Sequence, residues 1–328
     1  MAAAFGGLTF LIYSFASDFT LFAVGAGVSG LAYGFGSMVP VSILMTRWFD
    51  DHRALAISIC SAGSGLGSII LPPVVTGLLS TLSMQTVFRI EAAFILCCAA
   101  VIYAIMRNYP HDMDLNRLGE NREKLRKDAA EAIAPRKENP PITQVVLILS
   151  CAGCFLMGAQ GNPGIMHIPV LYTSEGFSAV FAATLMSIIG AALTVGKIVF
   201  GEVTDKIGGF RSSLVFFILL ILGNGLCCLA GLGSPALGLA AVSVLGVGYS
   251  VSTIGPSIWA GDLSSDMEFP KIMRRFQIFY SLGALITASV PGILADHFGG
   301  SYVPAFVMFT VMSLIASFLI AAAYVKRR

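Results

Sequence analysis

Charge is what this sequence has least of: only 12% of its 328 residues are Asp, Glu, Lys or Arg, where soluble domains carry about 25%. A water-soluble globular fold is excluded on that ground. With 56% of the residues hydrophobic, so are disordered, collagenous and disulfide-scaffold chains. The charges nearly cancel, leaving a net +2 that gives no electrostatic footprint for nucleic acid. No secretory leader is expected, since the first apolar run lacks a basic n-region and a cleavage site. The polar residues form no nucleophile triad, carboxylate pair or metal-ligand cluster, so neither an enzyme nor a cofactor is expected.

What the sequence has is hydrophobic length. Ten charge-poor runs approach the roughly 20 residues a helix needs to cross a bilayer: 1–17, 21–49, 54–82, 88–106, 142–172, 177–203, 211–232, 237–260, 276–294 and 303–324. The expected class is an all-α polytopic membrane protein with both termini on one side. Of the 20 Lys and Arg, all but Arg89 and Lys197 then fall on a single face, which the positive-inside rule makes cytoplasmic, termini included. Arg89 sits at an outer helix mouth beside Glu91, where snorkelling is cheap. A hydrophilic stretch with Leu115, Leu118 and Leu125 at rough helical spacing divides the chain. Residues 1–108 are expected to form a partial N-terminal bundle of four spans, 109–141 a central cytoplasmic loop with a surface-lying amphipathic stretch, and 142–328 a C-terminal bundle of six.

The two halves share a pattern. Tyr33 precedes Pro40 as Tyr249 precedes Pro256, at one offset of 216 residues, and the following spans carry Gly63 then Pro72 and Gly283 then Pro291. Parallel repeats of this kind imply equal halves; four spans against six predict a further helix pair N-terminal to Met1. Two apparent motifs carry nothing. Gly25-x-Gly27-x-x-Gly30 lies in a span with no preceding strand and reads as packing glycine. Cys151-x-x-Cys154, like all seven cysteines, lies in a span, where thiols behave as small apolar groups.

Gly201-Glu-Val-Thr-Asp205-Lys206-Ile-Gly208-Gly-Phe-Arg211 resembles the G-x-x-x-D-[R/K]-x-G loop motif of the major facilitator superfamily, in its second-half copy. Within that superfamily, Arg47-Trp-Phe-Asp-Asp-His-Arg53, the following Ser61-Ala-Gly63-Ser-Gly65-Leu-Gly67 and Gly299-Gly-Ser-Tyr302 resemble the monocarboxylate and oxalate/formate carriers. The resemblance implies two bundles that rock between access states, and secondary active transport of a small organic anion by proton symport or anion exchange. Its implied partners are the anion, the lipid bilayer and a proton or counter-anion, with no nucleic acid and a monomeric chain. Compactness suggests a bacterial cytoplasmic membrane. The alternatives are a superfamily carrier of another small solute and a truncated membrane protein that does not transport.

Lys197 stands out from the residues alone. It lies eight residues before Asp205, about 12 Å inside the boundary at 1.5 Å per residue and close to the middle of a ~30 Å core. An ammonium there costs at least ~3 kcal/mol and calls for a partner or an anionic ligand; an interhelix hydrogen bond or snorkelling is the plainer alternative. In the oxalate/formate group a basic residue after Gly at the matching position binds the substrate carboxylate, and Gly196-Lys197 matches it. The second cation those oxalate carriers have in their eleventh helix is missing from 277–291, which favours a monoanion.

Gly158, Gly161, Pro163 and Gly164 predict a broken helix lining a wet cavity. Gln160 and Asn162 are then candidate substrate contacts. His167 is a candidate for proton coupling, against the preferred reading of a water-facing residue at the outer mouth. Tyr33, Tyr249, Gln277 and Tyr280 are candidate lining residues, each of which could instead face another helix. Following the resemblance, Gly201, Asp205, Lys206, Gly208 and Arg211 form a gating latch, against the simpler reading of a positive-inside turn.

Overall fold

The structure, a computed structural model, describes residues 1–119, 141–265 and 267–327, and every regular element among them is helical. The helices are α1 (Ala2–Phe15), α2 (Phe19–Gly36), α3 (Met38–Trp48), α4 (Arg53–Leu79), α5 (Met84–Ile105), α6 (Gln144–Met166), α7 (Ile168–Ser174), α8 (Ala179–Ile207), α9 (Gly209–Cys227), α10 (Pro235–Gly248), α11 (Ser250–Leu263), α12 (Phe269–Thr287), α13 (Val290–His297) and α14 (Val303–Arg327). Side-chain caps mark several starts where the polar residue precedes the apolar run. The Asp18 carboxylate accepts from the Leu21 N–H at 3.0 Å, and the Ser178 hydroxyl accepts from the Phe181 N–H at 3.2 Å, each satisfying one orphan donor of a first turn.

Among the described residues, nine helical stretches are long and apolar enough to cross a membrane. The expectation of ten is corrected at the first run, whose helix Ala2–Phe15 has 14 residues and falls short by length. Three of the nine are two helices joined at a bend: α2 with α3, α10 with α11 and α12 with α13.

The chain divides into two compact units. One gathers Met1–Asp51 with the described residues from Gly67 to 119; the other gathers His52–Leu66 with the described residues from 141 onward. In the first unit, α1 packs against α2 and α5, where the Tyr13 ring lies tilted 5.5 Å from Phe22 and 5.7 Å from Phe88. The start of the central loop holds one short 3-10 turn, Pro110–Met113, and is then tied to this unit. Leu118 N–H donates to the Trp48 carbonyl at 2.9 Å, and its own carbonyl accepts from Asp50 N–H at 2.9 Å. The expected amphipathic helix through Leu115 and Leu118 is therefore absent: both side chains are exposed and the backbone around Leu118 pairs with Phe49. Leu125 and residues 120–140 lie outside the described residues.

In the second unit α6 packs on α12 and α14, α9 on α10 and α14, and α8 on α10. Its core holds the buried Trp259 indole, stacked 5.9 Å from Phe217, with its Nε1–H donating to the Ser213 hydroxyl at 2.8 Å. The outward faces carry Leu285, Ile286 and Phe318 more than half exposed. Such continuous apolar surface suits acyl chains and not water.

The break predicted within 158–167 falls at the end of that stretch: α6 runs unbroken through Pro163, and the chain bends one turn later, at His167. Two hydroxyls from α11 and its entry sustain the backbone there. Tyr249 donates to the Gln160 carbonyl at 3.1 Å and Ser252 to the Met157 carbonyl at 3.1 Å. They tie α11 to α6 on either side of the Ala159 carbonyl, the one that Pro163 leaves without its helical donor. The glycines serve close packing instead, since a Cβ at Gly158 would collide with the Tyr280 carbonyl of α12.

Candidate functional site

The N-terminal part of α4 and the C-terminal part of α8 run antiparallel in contact, and the sequence makes that approach possible with small residues at helical spacing. Gly65 faces Thr194, Ser58 faces Gly201, and a Cβ on either glycine would overlap the opposing hydroxyl. Between these two points lies Lys197, buried at 3% exposure. Its ammonium donates to the Ser61 carbonyl at 3.0 Å and to the Ser64 hydroxyl at 2.8 Å. Among the described residues the ion pairs are Lys206 with Glu202 and His111 with Asp112, so Lys197 holds its charge against neutral oxygens only.

Two turns further along α8 the same contact ends in a clamp. Asp205 accepts from the Ala54 N–H at 3.2 Å and the Leu55 N–H at 2.9 Å. These are first-turn donors of α4 with no partner inside their own helix, and the carboxylate also meets the positive end of the α4 dipole. The chain then reverses at Gly208, whose φ of +84° is cheap only for glycine. Lys206 bonds Glu202 at 2.7 Å on the exposed side of its own helix, and Arg211 is exposed on the next. Of the five loop residues, Asp205 alone reaches another helix through its side chain. Replacing Asp205 with alanine should raise amide exchange at Ala54 and Leu55 about tenfold, the effect of losing a capping interaction of about 1–2 kcal/mol. Exchange unchanged at both amides would rule the clamp out.

The remaining predicted residues do not gather round Lys197. Gln160 is fully buried, its Oε1 accepting from Ser313 at 2.6 Å and from Asn224 at 3.4 Å. Tyr249, also fully buried, bonds the Gln160 backbone. Tyr280 is half-buried on α12, its hydroxyl facing Gly161 of α6, so Gln160, Tyr249 and Tyr280 share one polar seam between helices. Gln277 bonds Ser281 of its own helix at 3.5 Å, and Asn162 is exposed. His167 bonds the Pro163 carbonyl through Nδ1 at 2.7 Å and stacks on Tyr302. Tyr33 lies in the other unit, 59% exposed. No group of His, Cys, Asp and Glu among the described residues could hold a metal ion.

Three partners went unnamed at the sequence level. Ser61 and Ser64 were legible only as part of a Gly/Ser-rich run, and their signal was the spacing Ser58, Ser61, Gly65, which lines up one face of α4. Asp262, which accepts from the Tyr324 hydroxyl at 2.6 Å, gave no signal beyond being an acid at the end of a span.

Long apolar helices and an outward apolar surface define an integral multi-pass membrane protein. The Major Facilitator Superfamily matches residues 1–262, and the chain belongs to that family. Among similar proteins, Monocarboxylate transporter 12 of Mus musculus is 24% identical over 342 residues, covering 97% of this chain and 69% of the mouse protein. An MFS-type transporter of Gibberella moniliformis is 29% identical over 276 residues, covering 81% of this chain and 60% of its own. Among solved structures, a variant of the E. coli fucose:proton symporter FucP aligns with a TM-score of 0.66 at 14% identity, over 98% of this chain and 81% of that one. The human organic anion transporter MFSD10 aligns with a TM-score of 0.61 at 14% identity, over 97% and 75%. At these identities the two structures establish the fold.

Proposed function

We propose that this chain serves secondary active transport of a small monocarboxylate-like anion by alternating access, with coupling to protons or exchange against a second anion. The observation that carries the reading is Lys197. A buried ammonium whose partners are a carbonyl and a hydroxyl is solvated but not neutralised, and at membrane depth it retains a demand for an anion. A single carboxylate supplies that charge and accepts from the same donors. This chain's similarity to Monocarboxylate transporter 12 of mouse, frog, rat and human and to Monocarboxylate transporter 12-B of zebrafish supports the same substrate class.

In this reading residues 1–108 and 142–328 act as the two rocking bundles, joined by 109–141, with the termini cytoplasmic and the carrier monomeric. Asp205 with Gly201, Lys206, Gly208 and Arg211 forms the cytoplasmic latch. Asn162, Tyr33, Gln277 and Tyr280 supply polar surface along the path, Gln160 and Tyr249 line the buried seam beside Tyr280, and His167 is the candidate proton relay. The test is counterflow in proteoliposomes of the full chain preloaded with acetate, L-lactate or pyruvate. Saturable accumulation of the labelled acid, competed by the other acids and not by a neutral sugar, is the expected result. Saturable uptake of a sugar without uptake of any acid would overturn the reading.

A further inference from the structure

Lys197 and Asp205 are on one face of α8, and both are bonded to α4. The contact between the two helices is therefore a ladder with four rungs: Gly65 with Thr194, Ser61 and Ser64 with Lys197, Ser58 with Gly201, and Ala54 and Leu55 with Asp205. Two of the rungs are bare contacts of small groups, close enough that a glycine Cβ could not be added. They supply dispersion but no directional bond. The other two are charge-assisted hydrogen bonds, the stronger kind, and they carry opposite charges supplied by the same helix. The Ser58 hydroxyl within the ladder is buried with no hydrogen-bond partner, so what holds the middle of the contact is Lys197.

An ammonium has three donors, and two of them are taken by Ser61 and Ser64. A carboxylate arriving at Lys197 is a better acceptor than either neutral oxygen, and its two oxygens compete for those same protons. We propose that Ser64, with the Ser61 carbonyl, is the resting-state ligand of Lys197. It stands in for the substrate carboxylate, so that anion binding and the α4–α8 contact draw on one ammonium. This rests on the carboxylate reading above and deepens it. When the anion takes Lys197, the middle of the ladder loses its only directional bonds, and the Asp205 clamp is left to hold α4 to α8 alone. Substrate binding thus loosens the contact from its buried rung toward its exposed end. Ser64 is here a positioning residue: it acts through Lys197 and sets how much of the substrate's binding energy is spent on release.

The proposal fixes a sign. Ser64→Ala weakens the resting state and not the anion complex, so it should tighten binding of acetate, L-lactate or pyruvate about tenfold. At 1.4 kcal/mol per decade that is the low end for a hydrogen bond to a charged group. Ser64→Thr keeps a hydroxyl and should bind as the wild type does. Nitroxides at His52→Cys and Lys206→Cys, both exposed and flanking the clamp, report the helix separation directly in a background lacking the seven native cysteines. Pulsed dipolar spectroscopy should show a short distance without ligand and a longer one with the acid. In Ser64→Ala part of the long population should be present before any acid is added. Binding that is unchanged or weaker in Ser64→Ala, or a distance distribution indifferent to the acid, overturns the proposal while leaving the carboxylate reading intact. Wild-type binding of none of the three acids, or full binding retained in Lys197→Gln, overturns the carboxylate reading and this proposal with it.

Discussion

Lys197→Gln is expected to cut saturable monocarboxylate uptake by at least about a hundredfold while leaving the protein as stable as the wild type or more so. Removing one partner of a buried charge pair costs about 3–5 kcal/mol, and the glutamine amide offers a carboxylate a neutral donor in place of a full charge. Folding responds in the other direction. The wild-type ammonium, 3% exposed and bonded only to the Ser61 carbonyl and the Ser64 hydroxyl, bears a desolvation cost of at least ~3 kcal/mol at membrane depth. Glutamine escapes that cost and can still donate to the carbonyl. A lysine kept for packing would produce the reverse pattern, with stability falling and transport following it down. Lys197→Arg keeps the charge but replaces a compact ammonium with a planar fork, and should retain a fraction of uptake with an altered KM. Counterflow and thermal unfolding measured on the same purified samples separate the two patterns. Uptake by the glutamine variant within threefold of wild type would remove Lys197 from the substrate path.

What could be read in advance follows the scarcity of charge. Spans are long apolar runs, so the spans from Phe19 onward announced themselves, and Lys197 was visible because almost nothing ionic surrounds it in the sequence. The Asp205 motif was legible as a loop at the end of a helix, and the structure adds that its carboxylate caps a different helix. What stayed hidden were relations between helices. A single sequence gives the register of residues along one helix but not the partner it faces, so Ser61 and Ser64 could not be assigned to Lys197. The continuity of α6 through Pro163 was hidden for the same reason. Local composition argued for a break, which comes at His167, while the bonds of Tyr249 and Ser252 to this helix come from about ninety residues away in sequence. Leu115 and Leu118 had helical spacing, but the backbone bonds of Leu118 to Trp48 and Asp50 commit that stretch to an extended pairing.

The same dependence on backbone contact makes Gly283 the residue whose replacement should do the most damage to folding. Helices α6 and α12 touch along their backbones: a Cβ at Gly283 would overlap the Phe155 carbonyl and lie 2.9 Å from the Ala159 nitrogen, while one at Gly158 would overlap the Tyr280 carbonyl from the opposite side. Backbone cannot rotate aside as a side chain can, so any added atom must drive the helices apart. Overpacking a well-filled core costs about 1–3 kcal/mol even for small insertions, and separating α6 from α12 would also draw the Tyr280 hydroxyl away from Gly161. Gly283→Leu is therefore expected to yield little folded, monodisperse protein. Gly283→Ala should fold with a melting temperature lowered by about 2–6 °C, taking about 2 °C per kcal/mol. Gly292, with open space around its would-be Cβ, supplies the control: alanine there removes glycine's propensity cost of up to about 1 kcal/mol and adds no clash. Size-exclusion profiles and melting curves for the three variants measure the contrast. A Gly283→Leu protein that elutes and melts like the Gly292→Ala protein would mean that the two helices are not in backbone contact, and that the polar seam of Gln160, Tyr249 and Tyr280 is held together by its hydrogen bonds alone.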